Sequence, residues 1–166
     1  NMTYLNKLKK YEAEIKSGIK RKGMTITVSG LSGCGKTTVG KSIAEAFGLK
    51  HISAGSFYRK WAEEKSMTLA EYCKNHSYED DLKIDREMLK EGLNGRVVLD
   101  GRLTGWTMGD NADIKIWISC PVNFKAKRVA LRENISLKQA LKEIKIRDDA
   151  GRETSEKVYG INYEKG

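Results

Sequence analysis

Two kinds of hydrophobic pattern alternate along this chain of 166 residues. Short apolar runs rich in β-branched residues predict buried strands at residues 24–28, 49–53, 95–100 and 113–119. Between most of these runs, apolar residues recur every three or four positions, which is typical of helices that bury one face. Strands that alternate with helices predict an α/β fold with a parallel sheet and a ligand at the carboxyl ends of its strands.

The longer segments predict helices at residues 38–47, 56–94, 122–133 and 137–158. Within the second segment, Thr68 and Glu71 fit a capping box, so we expect several helices there rather than one. No fifth apolar run follows the last helix. We therefore expect the sheet to be one strand short and the carboxyl-terminal end of the protein to be missing.

Residues 1–23 form a basic extension in front of the first predicted strand. Leu5, Leu8, Ile15 and Ile19 recur at helical spacing, although Gly18 weakens the pattern. The segment carries seven Lys/Arg and two Glu, a net charge of +5 out of +9 for the chain. It predicts an amphipathic helix that either docks on the domain through its apolar stripe or serves as a basic arm for RNA or a protein partner.

The composition is that of a globular protein, with 39% hydrophobic and 32% charged residues. No apolar run of 18 residues and no signal-peptide pattern is present, so we expect a cytoplasmic monomer with no membrane segment. Cys34, Cys73 and Cys120 lack metal-binding spacing and predict reduced thiols.

The most specific pattern is G-x-x-x-x-G-K-[ST], the phosphate-binding P-loop. It is filled by Gly30, Leu31, Ser32, Gly33, Cys34, Gly35, Lys36 and Thr37. The glycines let the backbone aim its N–H groups at phosphate oxygens, Lys36 can reach the β- and γ-phosphates, and the Thr37 hydroxyl can hold Mg²⁺. A strand before the loop and a helix after it provide the context that the motif requires. The sequence therefore predicts binding of ATP with Mg²⁺.

Charged residues at the ends of the other strands extend this prediction. Asp100 ends the third strand, where an acid would hold Mg²⁺; the alternative is a turn aspartate before Gly101. Arg59 and Arg102 follow neighbouring strands and could clamp an acceptor phosphate, or could form surface salt bridges. Trp106 lies close behind Arg102 and could border a base.

A second group of arginines lies in the last two predicted helices. Arg128 and Arg132 are four residues apart and share a helix face, and Arg147 follows on the next helix. On a short mobile lid at about residues 132–147, such arginines would neutralise charge on a phosphoryl group in transfer. The alternative is a solvated basic helix face.

In combination, these motifs resemble the archaeal-type cytidylate kinases, which are P-loop nucleoside monophosphate kinases. The resemblance covers residues 24–162. Besides the P-loop, it rests on Ile52-Ser53-Ala54-Gly55, Phe57-Tyr58-Arg59, Ile84-Asp85-Arg86-Glu87, residues 98–106, residues 128–133 and Tyr159-Gly160-Ile161-Asn162. It implies a three-layer P-loop kinase fold, with a parallel sheet flanked by helices, a helical monophosphate-binding module at about 56–94 and a short lid.

The resemblance also implies the activity, transfer of the γ-phosphoryl group of ATP to CMP and dCMP. It adds Thr38 to the ATP site and places Ser53, Arg59, Asp85, Arg86 and Arg102 along the CMP site. The residues expected to serve catalysis are Lys36, Arg102, Arg128, Arg132 and Arg147. After Arg147, Gly151 and Thr154 stand where related kinases often carry an acid and an arginine.

Two other functions fit the same motifs. A P-loop ATPase could bind RNA or a ribosomal particle through residues 1–23, since their positive charge suits a polyanion. A small-molecule kinase with a different acceptor could use the same fold.

Overall fold

The computed structural model describes residues 2–163. Residue 1 of the predicted extension and residues 164–166 of the predicted kinase domain lie outside this range. Within the described residues, one sheet holds four parallel strands in the order β2-β3-β1-β4. They are β1 (Thr25–Gly30), β2 (Lys50–Ser53), β3 (Val97–Asp100) and β4 (Ile114–Ile118). The predicted parallel α/β sheet is confirmed, and the carboxyl ends of all four strands lie at one edge.

Eight α-helices surround this sheet over residues 2–163. They are α1 (Tyr4–Gly18), α2 (Lys36–Phe47), α3 (Ala54–Glu64), α4 (Leu69–Asn75), α5 (Tyr78–Asn94), α6 (Thr104–Met108), α7 (Val122–Glu133) and α8 (Leu137–Thr154). A 3₁₀ turn follows α6 at Gly109–Asn111, and a π-helical segment follows α8 at Ser155–Tyr159. The Thr68–Glu71 capping box is present and starts α4, which explains why the segment 56–94 divides.

The core lies in separate layers on the two faces of the sheet. Val97 and Leu99 of β3 face α5 and its neighbours, whereas Val98 points to the opposite face with Val28 and Ala44 of α2. A third apolar cluster joins α7 to α8 and includes Ala126, Val129, Ala140 and Ile144. The α7–α8 pair thus packs around apolar contacts of its own beside the sheet.

Helix α1 packs along α5 and against the π-helical segment. Its Leu8 is buried in the same core as Met88 and Leu89 of α5. Leu8 and Ile15 of the predicted stripe are therefore packed against the domain, whereas Leu5 is 38% exposed. Among residues 2–163, no helix has the length and apolar character needed to cross a membrane.

Candidate active site

A cavity of about 820 Å³ opens at the carboxyl ends of the strands. Most of the residues predicted for the site line it: Ser32, Gly33, Gly35, Lys36, Thr37, Thr38, Ser53, Arg59, Asp85, Asp100, Arg102, Arg128, Arg132 and Arg147. The structure thus brings residues from six separate segments of the chain to one site.

The P-loop turns tightly between β1 and α2. Gly35 has φ +93°, and a Cβ there would lie 2.9 Å from Nη1 of Arg128. Gly30 would place a Cβ 2.3 Å from the Ile118 carbonyl oxygen, so a side chain is excluded where the loop passes β4. The loop ends at the first turn of α2, whose unsatisfied N–H groups and dipole favour an anion.

Gly30, Leu31 and Cys34 do not line the cavity themselves. Instead, two backbone carbonyls of the loop hold cations that do: Lys36 Nζ donates to the Leu31 oxygen at 2.7 Å, and Arg128 Nη1 donates to the Cys34 oxygen at 3.0 Å. Burial and the nearby Arg102 guanidinium lower the pKa of Lys36 to about 8. A phosphate beside Lys36 would favour the charged form of this amine.

Asp100 stands at the centre of a polar cluster opposite the loop. It is 1% exposed, and its Oδ1 accepts hydrogen bonds from the hydroxyls of Ser53 at 2.8 Å and Thr37 at 3.3 Å. Its Oδ2 contacts Nε2 of His51, which no sequence motif placed at this site. Sequence signals for this pairing are weak, because β2 and β3 become neighbours only in the sheet.

The Thr37 and Asp100 oxygens fit Mg²⁺, which prefers hard oxygen ligands. Within residues 2–163 there is no group of three or more His, Cys, Asp or Glu side chains placed to hold a metal. A hydroxyl and one carboxylate instead suit an ion that keeps several waters and is shared with nucleotide phosphates.

Several buried guanidinium nitrogens of the cavity's arginines have no hydrogen-bond partner among the described residues. Arg147 is 7% exposed, and its Nε and Nη1 have no hydrogen-bond partner among the described residues; the same holds for Nε of Arg59 and of Arg102. Burial and repulsion by Arg132, Arg102 and Arg59 lower the pKa of Arg147 to about 10. Because unpaired buried charge is costly, this cluster is built for an anion.

Arg102 is wedged against the last helix. Its Nη2 donates to the Arg147 carbonyl oxygen at 3.1 Å and to the Ser32 hydroxyl at 3.4 Å. At Gly151, an added Cβ would lie 2.2 Å from Nη1 of Arg102. Gly151 therefore leaves room for the guanidinium.

A buried ion pair fastens α7 and α8 to the P-loop, and sequence reasoning missed it. Lys125 Nζ lies 2.7 Å from Oδ2 of Asp148, and Oδ1 of Asp148 accepts a hydrogen bond from the Ser32 N–H at 3.2 Å. Arg132 instead pairs with the neighbouring Glu133 at the surface. The spacing of charged residues along a helix cannot distinguish the buried Lys125–Asp148 pair from the exposed Arg132–Glu133 pair, because burial depends on which element packs over the side chain.

The far end of the cavity contains two carboxylates of α5. Oδ2 of Asp85 accepts hydrogen bonds from the hydroxyls of Tyr4, at 2.6 Å, and Tyr159, and Oδ1 accepts one from Thr107 at 3.4 Å. Burial, reinforced by the Asp81 charge, raises the pKa of Asp85 to about 7. Tyr4 belongs to α1, so the extension contacts a predicted acceptor-site residue directly.

Asp81 has a different set of partners. Its Oδ1 accepts hydrogen bonds from the Tyr58 hydroxyl at 2.5 Å and meets Nε2 of His76 at 2.7 Å. The bond to Asp81 raises the pKa of His76 despite the burial of the ring, which by itself would lower it. His51 and His76 thus each contact a buried aspartate.

Arg86 and Trp106 do not line the cavity. Arg86 follows Asp85 in α5, and since adjacent helical residues point about 100° apart, it faces α1 and lies over the Tyr11 ring at 4.6 Å. Trp106 is 41% exposed and packs edge-on against Trp117 at 5.5 Å. The structure thus separates these two residues from the rest of the predicted acceptor site.

Comparison with known proteins agrees with this arrangement. Residues 25–165 match the cytidylate kinase-like family. The chain belongs to that family. It is 45% identical over 141 residues to the cytidylate kinase of Pyrococcus horikoshii, covering 84% of this chain and 73% of that protein. It is 38% identical over 146 residues to the cytidylate kinase of Halobacterium salinarum, covering 85% of this chain and 75% of that protein.

Among solved structures, shikimate kinase from Acinetobacter baumannii in complex with shikimate is similar, with a TM-score of 0.52 and 20% identity over 80% of each chain. This likeness shows the P-loop kinase fold that the sequence predicted. In this member of the cytidylate kinase-like family, the matched region begins at residue 25, so α1 precedes it. The contact between Tyr4 and Asp85 is therefore formed by a segment outside the family match.

Proposed function

We propose that this protein transfers the γ-phosphoryl group of Mg-ATP to CMP, and also to dCMP, producing the nucleoside diphosphate and ADP. The observation that carries the proposal is a P-loop that shares one cavity with Arg59, Arg102 and Arg147, each of which has a buried donor nitrogen without a hydrogen-bond partner among the described residues. A hydrolase needs only the donor half of such a site. The family's cytidylate kinases supply the choice of CMP as acceptor.

On the donor side, the P-loop N–H groups and Lys36 hold the β- and γ-phosphates. Thr37 and Asp100 would hold Mg²⁺, which neutralises charge on these phosphates when bound. Ser53 orients the Asp100 carboxylate through its 2.8 Å hydrogen bond. Phosphoryl transfer requires little covalent chemistry from a protein, so positioning and charge neutralisation provide most of the catalysis.

On the acceptor side, Arg59 and Arg102 hold the phosphate of CMP. Arg147, with Arg128 and Arg132, compensates the charge on the phosphoryl group as it moves. Helix α8 packs against α4, so the proposed lid and acceptor module meet over the cavity. This contact supports a closed site that excludes water, which would otherwise compete with CMP for the phosphoryl group.

The test is an acceptor panel with Mg-ATP and CMP, dCMP, UMP, AMP or GMP, with separation of the nucleotide products. CMP should give CDP and ADP with the highest kcat/KM, and dCMP should also be accepted. Production of ADP without a second diphosphate would indicate an ATPase. Equal use of all acceptors, or no use of CMP, would contradict the proposal.

A further inference from the structure

We infer that Asp81 selects the base of the acceptor: its free carboxylate oxygen accepts a hydrogen bond from the exocyclic amino group of cytosine. The inference rests on the proposed function and names the residue that would favour CMP over UMP at the same site. No motif in the sequence pointed to Asp81. The argument depends on its hydrogen bonds, its burial and its place in the cavity.

The two carboxylate oxygens of Asp81 differ: Oδ1 is hydrogen-bonded, whereas Oδ2 has no partner among the described residues. The side chain lines the cavity, and the residue is 5% exposed. Tyr58 and His76 both contact Oδ1, whereas Oδ2 is buried and has no hydrogen-bond partner among residues 2–163. A buried carboxylate oxygen without a donor is costly, and a ligand that supplies one would remove the penalty.

The neighbours of Asp81 hold it in this orientation. His76 Nδ1 lies 2.8 Å from the Cys73 carbonyl oxygen, which leaves Nε2 directed at Asp81. The His76 ring stacks on Tyr72 with centroids 5.7 Å apart and meets Tyr58 edge-on at 5.5 Å. A carboxylate fixed by two donors on one oxygen presents the other at a defined position.

Asp85 is the second carboxylate at this end of the cavity, but it offers no equivalent acceptor. Each of its oxygens already accepts a hydrogen bond from a hydroxyl of Tyr4, Tyr159 or Thr107. Ile84, which is 1% exposed, lies between the two aspartates in sequence and adds an apolar surface to the cavity wall. An apolar wall beside one free acceptor suits a flat base with a single amino group to recognise.

The chemistry of the two pyrimidines makes this oxygen selective. Cytosine carries an amino donor at C4, whereas uracil carries a carbonyl acceptor there. Asp81 would donate nothing to that carbonyl and would repel its lone pairs. Arg102 contacts Ser32 of the P-loop, and Arg147 lies on α8, whose Asp148 also bonds to Ser32. These two arginines would hold the phosphate there, which leaves the end formed by α4 and α5 for the base.

The first test needs only the unmodified protein. Its kcat/KM would be measured for CMP, for UMP and for the 5′-monophosphate of the pyrimidin-2-one ribonucleoside, which lacks the amino group. Loss of one charge-assisted hydrogen bond predicts a decrease of about 10- to 100-fold for the analogue. The kcat/KM for UMP should be at least as low as that for the analogue. Equal kcat/KM for CMP and the analogue would overturn the inference, whereas no turnover of CMP would contradict the proposed function itself.

The second test uses Asp81→Asn, with Glu79→Gln as the matched control. Glu79 lies in the same turn of α5, but its carboxylate is 68% exposed and pairs with Lys7 at the surface. Asp81→Asn should raise the KM for CMP about 10-fold or more while affecting the analogue much less, and should narrow the preference for CMP over UMP. An equal loss for CMP and the analogue would assign Asp81 a purely structural role. If Asp81→Asn fails to fold, the comparison of substrates with the unmodified protein still decides the question.

Discussion

Replacing Gly151 by alanine tests whether the position of Arg102 controls activity. The new Cβ would lie 2.2 Å from Nη1 and 2.3 Å from Cζ of Arg102, so the guanidinium must move. It would then lose the hydrogen bonds to the Arg147 carbonyl and the Ser32 hydroxyl. In α8, however, alanine is a better helix former than glycine by about 0.5–1 kcal/mol.

These magnitudes separate the effect on stability from the effect on catalysis. The gain in helix propensity offsets part of the lost hydrogen bonds, which contribute about 1.5–3 kcal/mol when a charged group takes part. Counting the 3.1 Å bond and setting the longer 3.4 Å contact near zero, we expect the free energy of unfolding to fall by about 0.5–2.5 kcal/mol. Displacing a charge that stabilises the transition state costs about 2.7–4 kcal/mol, by analogy with loss of an oxyanion-hole donor. The kcat/KM for CMP should then decrease about 100- to 1,000-fold.

The assay is steady-state phosphorylation of CMP, with urea unfolding of the same samples. Gly18→Ala is the control. Gly18 also lies in a helix, but a Cβ added there meets no atom within 4 Å. In an Arg102→Ala background, Gly151→Ala should cost little further activity, since both changes act on the same guanidinium. If Gly151→Ala had the same kcat/KM for CMP as the unmodified protein, the reasoning would be refuted.

Two further predictions concern buried charges. Lys125→Met leaves the Asp148 carboxylate buried without its cation and should lower the free energy of unfolding by about 3–5 kcal/mol in urea titrations. Lys145→Met removes an exposed partner of Asp149 and should cost about 0–1 kcal/mol; equal losses would show that burial of the first pair is unimportant. Because the pKa of Asp85 is raised to about 7, the folded state binds a proton more tightly than the unfolded state. Stability should decrease as pH rises from about 4 to 7, and Asp85→Asn should flatten that dependence; a parallel dependence in both proteins would contradict this assignment.

Local patterns predicted much of the fold because their causes are local. The four apolar runs became β1 to β4, and the Thr68–Glu71 pair capped α4, since both signals depend on residues close in sequence. The P-loop was equally clear, because its glycines and Lys36 act through one tight turn. Helix α6 was missed, since five residues between Thr104 and Met108 are too few for a periodic pattern.

The candidate site was predicted in outline but not in its contacts. Arg59 and Arg102 were expected at the cavity and line it, because the ends of parallel strands share one edge; Arg147 of α8 was also expected there and lines it. Arg86 and Trp106 were expected there but do not line the cavity: Arg86 points about 100° away from Asp85 on α5, and Trp106 packs against Trp117. Conversely, the contacts of His51 and Asp81 were not predicted. His51 contacts Asp100 on another strand, and Asp81 contacts Tyr58 and His76, which lie on or after other helices.

The sequence by itself determined the α/β alternation, the ATP-binding loop and the excess of arginine around it, because composition and short spacing carry that information. Only the tertiary structure decided which charges are paired. It buried Lys125 against Asp148 and left Nε and Nη1 of Arg147 without partners among the described residues. It also paired both oxygens of Asp85 with hydroxyls, while the buried Oδ2 of Asp81 has no hydrogen-bond partner within residues 2–163. The physical reason is that burial and hydrogen bonding depend on three-dimensional neighbours, which local sequence does not specify.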